Sequence, residues 1–184
     1  MNRINALLIT LLCTTLPACG QGSLQPLKGP VPPTAETPPA TGWKAVEVVA
    51  GLEHPWSVTW LPDGSALITE RAGRLRLLKK DSTLHPAPIR GVPEVLALRQ
   101  GGLMDVILDP DFENNRLVYI SYAHGTSRAN HTRIARGRLE DHALRDLEVI
   151  FTTEPAKPNG FHFGNRMAFL DDGTLIFTMG EGNL

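Results

Sequence analysis

Beyond its first twenty positions this chain has no cysteine. Both cysteines of the 184 residues, Cys13 and Cys19, fall in that opening segment, so neither a disulfide nor a thiolate metal site is available to stabilise the rest of the chain. There is no charge excess either. Eighteen basic against nineteen acidic residues leave a formal net charge of −1, which removes the electrostatic footprint expected of a partner for nucleic acid or an acidic membrane surface. The apolar run from Ala6 to Leu12 is too short to span a bilayer as an anchor. No strand leads into a glycine-rich loop with a following lysine; the terminal "GEG" around Glu181 lacks that context, so nucleotide cofactors are not expected. Nor does a long helical period appear after Trp43. What remains is a globular composition, 42% hydrophobic and 20% charged, enough for one ordinary domain once a leader is set apart.

The leader reads from its layout. "MNRINALLITLLCTTLPACG" has a short n-region with Arg3, an apolar stretch and a small-residue site, the anatomy of a secretory signal. Within it "LPAC", Leu16 to Cys19, resembles a bacterial lipobox, in which cleavage precedes a cysteine that then carries lipid. The expected division is a lipoprotein signal peptide over 1–18, a tether over 19–42 holding six of the fifteen prolines, and a folded domain over 43–184. Gly20 is not the aspartate that retains lipoproteins at the inner membrane, so in a Gram-negative host the expected address is the periplasmic side of the outer membrane. The alternative is a plain signal peptide with an incidental cysteine, and a soluble secreted or periplasmic protein.

From Trp43 onward the segments read as short strands. "KAVEVVA" alternates apolar and polar residues, and "SVTWL", "ALITE" and "RLRLL" come after it, separated by "PDG" and "AG" turns. A strand, an acidic turn and a second strand recur three times: "WSVTWLPDGSALITE", "LMDVILDPDFENNRLVYIS" and "RMAFLDDGTLIFTMG". The turn aspartates Asp63, Asp111 and Asp172 are spaced about as four-stranded propeller blades would be. The fold class is therefore all-β, a β-propeller of which the chain covers about the first three blades. A ring cut after the second strand of a blade is expected to be incomplete and, alone, inactive.

Several residues invite chemical readings that turns and loops explain more simply. Asp109, Asp111, Asn114 and Asn115 in "DPDFENN" lack the glycine and distal glutamate of an EF-hand loop and read as turn formers, so no metal ligand is assigned. His54, His85, His124, His131 and His142 read as surface loop residues without metal-site pairings. "NHT" at Asn130 matches a glycosylation acceptor by accident in a bacterial lipoprotein. His162 is different. It stands between Phe161 and Phe163 in "KPNGFHFGNRMAF", and a buried imidazole there would need either a hydrogen-bond partner or a chemical task.

"RQGGLMDVILDPDFENNRLVYISYA" and "GFHFGNRMAFLDDGTLIFTMGE", with "GLEHPWSVTWLPDGSALITERAGRLRLL" and "GVPEV", resemble the first half of the soluble quinoprotein aldose dehydrogenases of the glucose/sorbosone type. The resemblance runs from Gly51 to Gly182 almost without interruption. It implies a six-bladed propeller binding pyrroloquinoline quinone (PQQ) and calcium, and oxidation of the anomeric carbon of an aldose to a lactone by hydride transfer to the quinone. His162 then matches the general base and Gln100 a residue reaching sugar and quinone, with Gly101 and Gly102 letting the backbone turn closely. Arg166 matches an arginine expected to brace the histidine loop. Phe161 and Phe163 would keep the base poorly solvated and neutral. Phe161 stands where the glucose-specific branch has an acidic residue, which favours the broader aldose branch. The other quinone contacts and the calcium ligands belong to later blades in that family. Expected partners are an aldose and an electron acceptor of unassigned identity, with no nucleic acid and membrane contact only through the lipid. Two other readings stay open: a non-catalytic propeller that binds a glycan or protein, and a calcium-dependent propeller lactonase.

The anchor has a direct test. Cys19→Ser should move the protein from the membrane fraction to an uncleaved or soluble form, and mass spectrometry of the wild-type N-terminus should find lipid on Cys19; an unmodified chain released whole by osmotic shock would refute it.

Overall fold

The structure, a computed structural model, describes Gly42 and residues 44–182. The signal peptide over 1–18, Cys19 and the tether up to Thr41 lie outside the described residues. From Ala45 onward the chain forms one compact unit.

Among the described residues nine strands make three antiparallel sheets in chain order. The first contains β1 (Pro55–Trp60), β2 (Ala66–Glu70) and β3 (Arg74–Leu78), with isolated bridges from Leu75 to Ile89 and Leu78 to Leu84 continuing its outer edge. The second is a full four-stranded blade: β4 (Leu103–Leu108), β5 (Leu117–Thr126), β6 (Ala129–Glu140) and β7 (Ala143–Thr152). The third pairs β8 (Met167–Phe169) with β9 (Leu175–Phe177). A single helical turn, α1 (Phe112–Asn115), is the one helix among the described residues and joins β4 to β5. Three successive blades of a β-propeller are thus present.

The turn aspartates do what their spacing suggests. Asp63 accepts from the Ser65 N–H at 2.9 Å and hydroxyl at 2.6 Å, and Asp172 accepts from the Thr174 N–H at 2.9 Å. Asp109 accepts from the Asp111 N–H, Asn115 Nδ2 and the Tyr119 hydroxyl, while Asn114 Nδ2 donates to Asp111. These oxygens are engaged in closing the turn, as Asx geometry provides.

Alternation along the middle sheet divides its side chains between two cores. Val118, Ile120 and Tyr122 of β5 pack with Leu67, Leu75 and Ile89 of the first sheet. Tyr119 and Ile134 turn the other way, onto Met167 with Phe169, Leu175 and Phe177 around it. The middle sheet therefore buries both faces. On the flanking sheets, Val58 and Trp60 of β1 remain 51% and 60% exposed, and Ile176 of β9 46%.

Two expectations need correction. "KAVEVVA", residues 44–50, forms no strand: no described backbone runs alongside it to complete a ladder, and Val46 and Val48 are largely exposed. Only its end is used, Val49 packing on Ala66, Ile68 and Leu78. His124 and His131 are not loop residues either. They face each other across the β5–β6 ladder, because that hairpin is longer than its polar sequence suggests.

Two buried carboxylates cross-link the assembly. Glu70, fully buried, accepts from the Glu53 N–H at 2.5 Å and Arg74 Nε at 2.5 Å. Burial pushes its pKa up, but these donors and the charges of Arg74 and Arg76 outweigh that and hold it below the ordinary value. Asp105 of β4, also fully buried, accepts from the Ser57 hydroxyl of β1 at 2.6 Å and from the Met167 N–H of β8 at 2.7 Å, so one side chain joins all three sheets. Arg166 Nη1 lies 3.4 Å from the same carboxylate.

Asp105→Ala would take an acceptor from three buried donors and an arginine, and should cost about 3–5 kcal/mol in urea unfolding; Asp105→Asn, which keeps one acceptor oxygen, should cost about 1–3 kcal/mol. Equal midpoints for Asp105→Ala and wild type would show that the sheets are joined otherwise.

Candidate active site

Four segments converge at one edge of the sheets. The end of β2 contributes Arg71, residues 99–102 lead into β4, residues 157–165 lead into β8, and residues 180–182 lie beyond β9. Backbone bonds set their positions: Leu103 N–H donates to Arg71 O at 3.0 Å, and Gln100 N–H to Gly160 O at 3.1 Å. The close approach depends on glycine. A Cβ on Gly101 would lie 2.7 Å from the Phe163 ring, and one on Gly102, at φ 154, 2.1 Å from Arg71 O.

Gln100 and His162, 62 residues apart in sequence, meet directly: Gln100 Oε1 accepts the His162 backbone N–H at 2.8 Å. The amide carbonyl is thus used to hold the histidine's backbone, and the amide NH2 is the donor it retains for a ligand. His162 adopts φ 48, which turns its side chain out of the run of the chain. Its imidazole is 44% exposed, so the expected burial between phenylalanines does not occur. Phe163 instead fills the core with Met104 and Ala123 and is 1% exposed, while Phe161 lies half-buried beneath the Arg99 guanidinium at 4.8 Å. The two rings leave the chain in directions that do not cover the imidazole.

The partner that orients the imidazole is Glu181, whose Oε1 lies 2.5 Å from His162 Nδ1. A carboxylate can only accept, so Nδ1 carries a proton, and in the neutral imidazole Nε2 then keeps its lone pair. Sequence reasoning passed over Glu181, noting only that "GEG" is no phosphate loop. No local signal points to it: Met167 pairs with Phe177, and continuing that register outward by five residues brings 162 opposite 182, one residue past Glu181, a proximity that exists only once β8 and β9 are paired. Both flanking glycines are required there. A Cβ on Gly180 would sit 2.0 Å from His162 O, and one on Gly182 2.4 Å from Lys157 Cδ.

Arg166, expected to brace the histidine loop, reaches Asp105 and the Ser57 hydroxyl, both at 3.4 Å, and so ties the strand after that loop to the first two sheets. Next to it Asn165 has φ 95 and is 1% exposed, with neither amide atom hydrogen-bonded among the described residues. Among the described residues no three His, Cys, Asp or Glu side chains converge as a metal ion requires. Cys19 lies outside the described residues.

The ends of these propeller sheets thus present a histidine–carboxylate pair beside a glutamine amide. The family model described as Glucose / Sorbosone dehydrogenase matches residues 52–184, and the chain belongs to that family. Aldose sugar dehydrogenase YliI of Escherichia coli is 40% identical over 136 residues, 72% of this chain and 36% of that protein. A solved glucose dehydrogenase superposes with TM-score 0.69 at 47% identity, over 72% of this chain and 42% of its own. The PQQ-bound form of an aldose sugar dehydrogenase from Streptomyces coelicolor gives TM-score 0.59 at 27% identity, over 70% and 38%. The chain therefore spans well under half the length of these relatives.

Gly180→Ala should break the His162–Glu181 contact, because its Cβ has no room beside His162 O, and should cost about 1–3 kcal/mol. Gly173→Ala, at φ 82 with nothing within 4 Å, is the control: it should cost about 1–2 kcal/mol of backbone strain and leave the pair intact. The His162 ring nitrogen NMR shifts distinguish the two outcomes.

Proposed function

We propose that the chain carries the proton-accepting half of a PQQ-dependent aldose dehydrogenase, which oxidises the anomeric carbon of an aldose to the lactone. The observation that supports this most directly is the His162–Glu181 pair, held beside Gln100 at the sheet edge. Removing hydride from a neutral alcohol carbon builds positive charge unless the hydroxyl proton leaves with it, so the reaction needs a positioned base. PQQ, when bound, supplies the two-electron acceptor for that hydride.

The residues present suit one edge of such a group and its sugar. Gln100 keeps its NH2 for a carbonyl or hydroxyl oxygen, and the His162 imidazole is exposed on the same edge. His162 Nε2 accepts the hydroxyl proton. The imidazolium that results is stabilised by Glu181 through Nδ1–H, which also keeps the ring from rotating out of reach. The balance is one hydride to the acceptor, one proton to Nε2, and a new carbonyl at the anomeric carbon. For calcium, by contrast, the described residues bring no three acidic or histidine side chains together, and no step here involves it. Phe161, standing where the glucose-specific branch has an acidic residue, favours a range of aldoses over glucose alone. We place the protein on the periplasmic side, tethered through Cys19, passing electrons to a separate acceptor.

In a full-length protein that continues through the later blades, loaded with quinone and assayed with an aldose panel and an artificial acceptor, His162→Ala should lower kcat by roughly 10² to 10⁴ without loss of folding. Gln100→Ala should act mainly on KM, since an amide contact made in both ground and transition states is largely uniform binding. Undiminished turnover by His162→Ala with quinone bound would assign the proton to another group.

A further inference from the structure

Lys157 is 4% exposed, although lysine is almost never fully buried unless paired. Its ammonium lies 3.2 Å from His162 O, 3.4 Å from Gly180 O and 4.0 Å from the centre of the Phe163 ring, so two carbonyls and an aromatic face stand in for lost water. Its backbone is pinned by a reciprocal pair of bonds with Asn130, at 2.7 and 3.0 Å, which moor the loop to the β5–β6 hairpin. Asn130 itself is fully buried and donates to Asn159 O at 2.8 Å, holding the same loop a second time. The lysine stem fits only because residue 182 is glycine.

The placement is selective. One carbonyl belongs to His162 itself and the other to Gly180, the residue before Glu181, so the ammonium grips the histidine through its own backbone and the glutamate through the peptide that precedes it. A side chain wanted only to fill this space would be apolar, since burying an ammonium costs several kcal/mol. Burial does draw the Lys157 pKa below its ordinary value, with the Glu181 carboxylate acting in the opposite sense.

We propose that Lys157 is a positioning residue for the His162–Glu181 pair: its buried ammonium clamps the carbonyls of His162 and Gly180 and so holds the imidazole on the carboxylate, in the tautomer that leaves Nε2 open. Its value for turnover rests on the reading of His162 as the base. The clamp itself is a property of the resting protein and is measured without substrate or quinone.

The test is nitrogen-edited NMR of the His162 ring in wild type, Lys157→Met and Lys157→Gln. Wild type should show one tautomer, protonated at Nδ1. Lys157→Met, which keeps the stem and loses charge and donors, should melt cooperatively yet show a mixture shifted toward Nε2–H, the form preferred by an unconstrained imidazole; Lys157→Gln, with donors but no charge, should fall between. A folded Lys157→Met with a single Nδ1–H tautomer would overturn the proposal. Should Lys157→Met fail to fold, the wild-type protein decides: a slowly exchanging ammonium with contacts to His162 and Gly180 supports the clamp, and its absence refutes it. In the quinone-loaded enzyme Lys157→Met should lower kcat about tenfold with KM little changed. If His162→Ala leaves turnover intact while Lys157→Met still shifts the tautomer, the catalytic reading fails and the clamp stands.

Discussion

The arrangement depends on a carboxylate that has no access to water. The donors around Asp105 come from all three sheets: the Ser57 hydroxyl from the first, the N–H of its neighbour Val106 from the second, and the Met167 N–H from the third, with Arg166 Nη1 just before it. A buried ion in such a position is tolerated only when its lone pairs are filled, so each sheet is held to the others by the need to satisfy that group. The apolar contacts between sheets are non-directional and would allow sliding; the carboxylate would not. Met167 is five residues from His162, so the bond that seats the third sheet also anchors the strand into which the His162 loop leads.

Much of this fold was legible because turn chemistry and alternation agree. "ALITE" and "RLRLL" coincide with β2 and β3, and the recurring aspartates lie between the first two strands of each sheet, where Asp63 and Asp172 close their turns on the residue two further on. Asp111 shows the limit: it precedes a single helical turn, a difference that a period of aspartates does not register. Residues 44–50 failed for another reason. Alternation reports which side chains prefer burial, but a strand also needs a neighbour's backbone, and that is a property of the surrounding chain.

The site was legible in its identities and not in its environment. Gln100 and His162 were singled out through the resemblance, and they do touch, but local sequence carries no signal for a contact across 62 residues. The flanking phenylalanines suggested a buried imidazole, whereas a left-handed backbone at residue 162 turns it away from them. Glu181 and Lys157 were missed because each acts through a hairpin register or a buried stem, features that appear once strands are paired and not before.

The distribution of indole rings gives the molecule an uneven optical readout. Of the three tryptophans, Trp43 lies outside the described residues and the other two, Trp56 and Trp60, both belong to β1. Trp60 is 60% exposed, while Trp56 packs against the cluster of Met104, Ala123 and Phe163, where the first two sheets meet the loop that carries His162. Among the described residues the second and third sheets contain no indole, so emission at long wavelength, apart from that of Trp43, reports on the first sheet and its junction. A fluorescence transition that coincides with loss of the far-ultraviolet β signal would then mean that sheets without any chromophore of this kind unfold together with the one that has two.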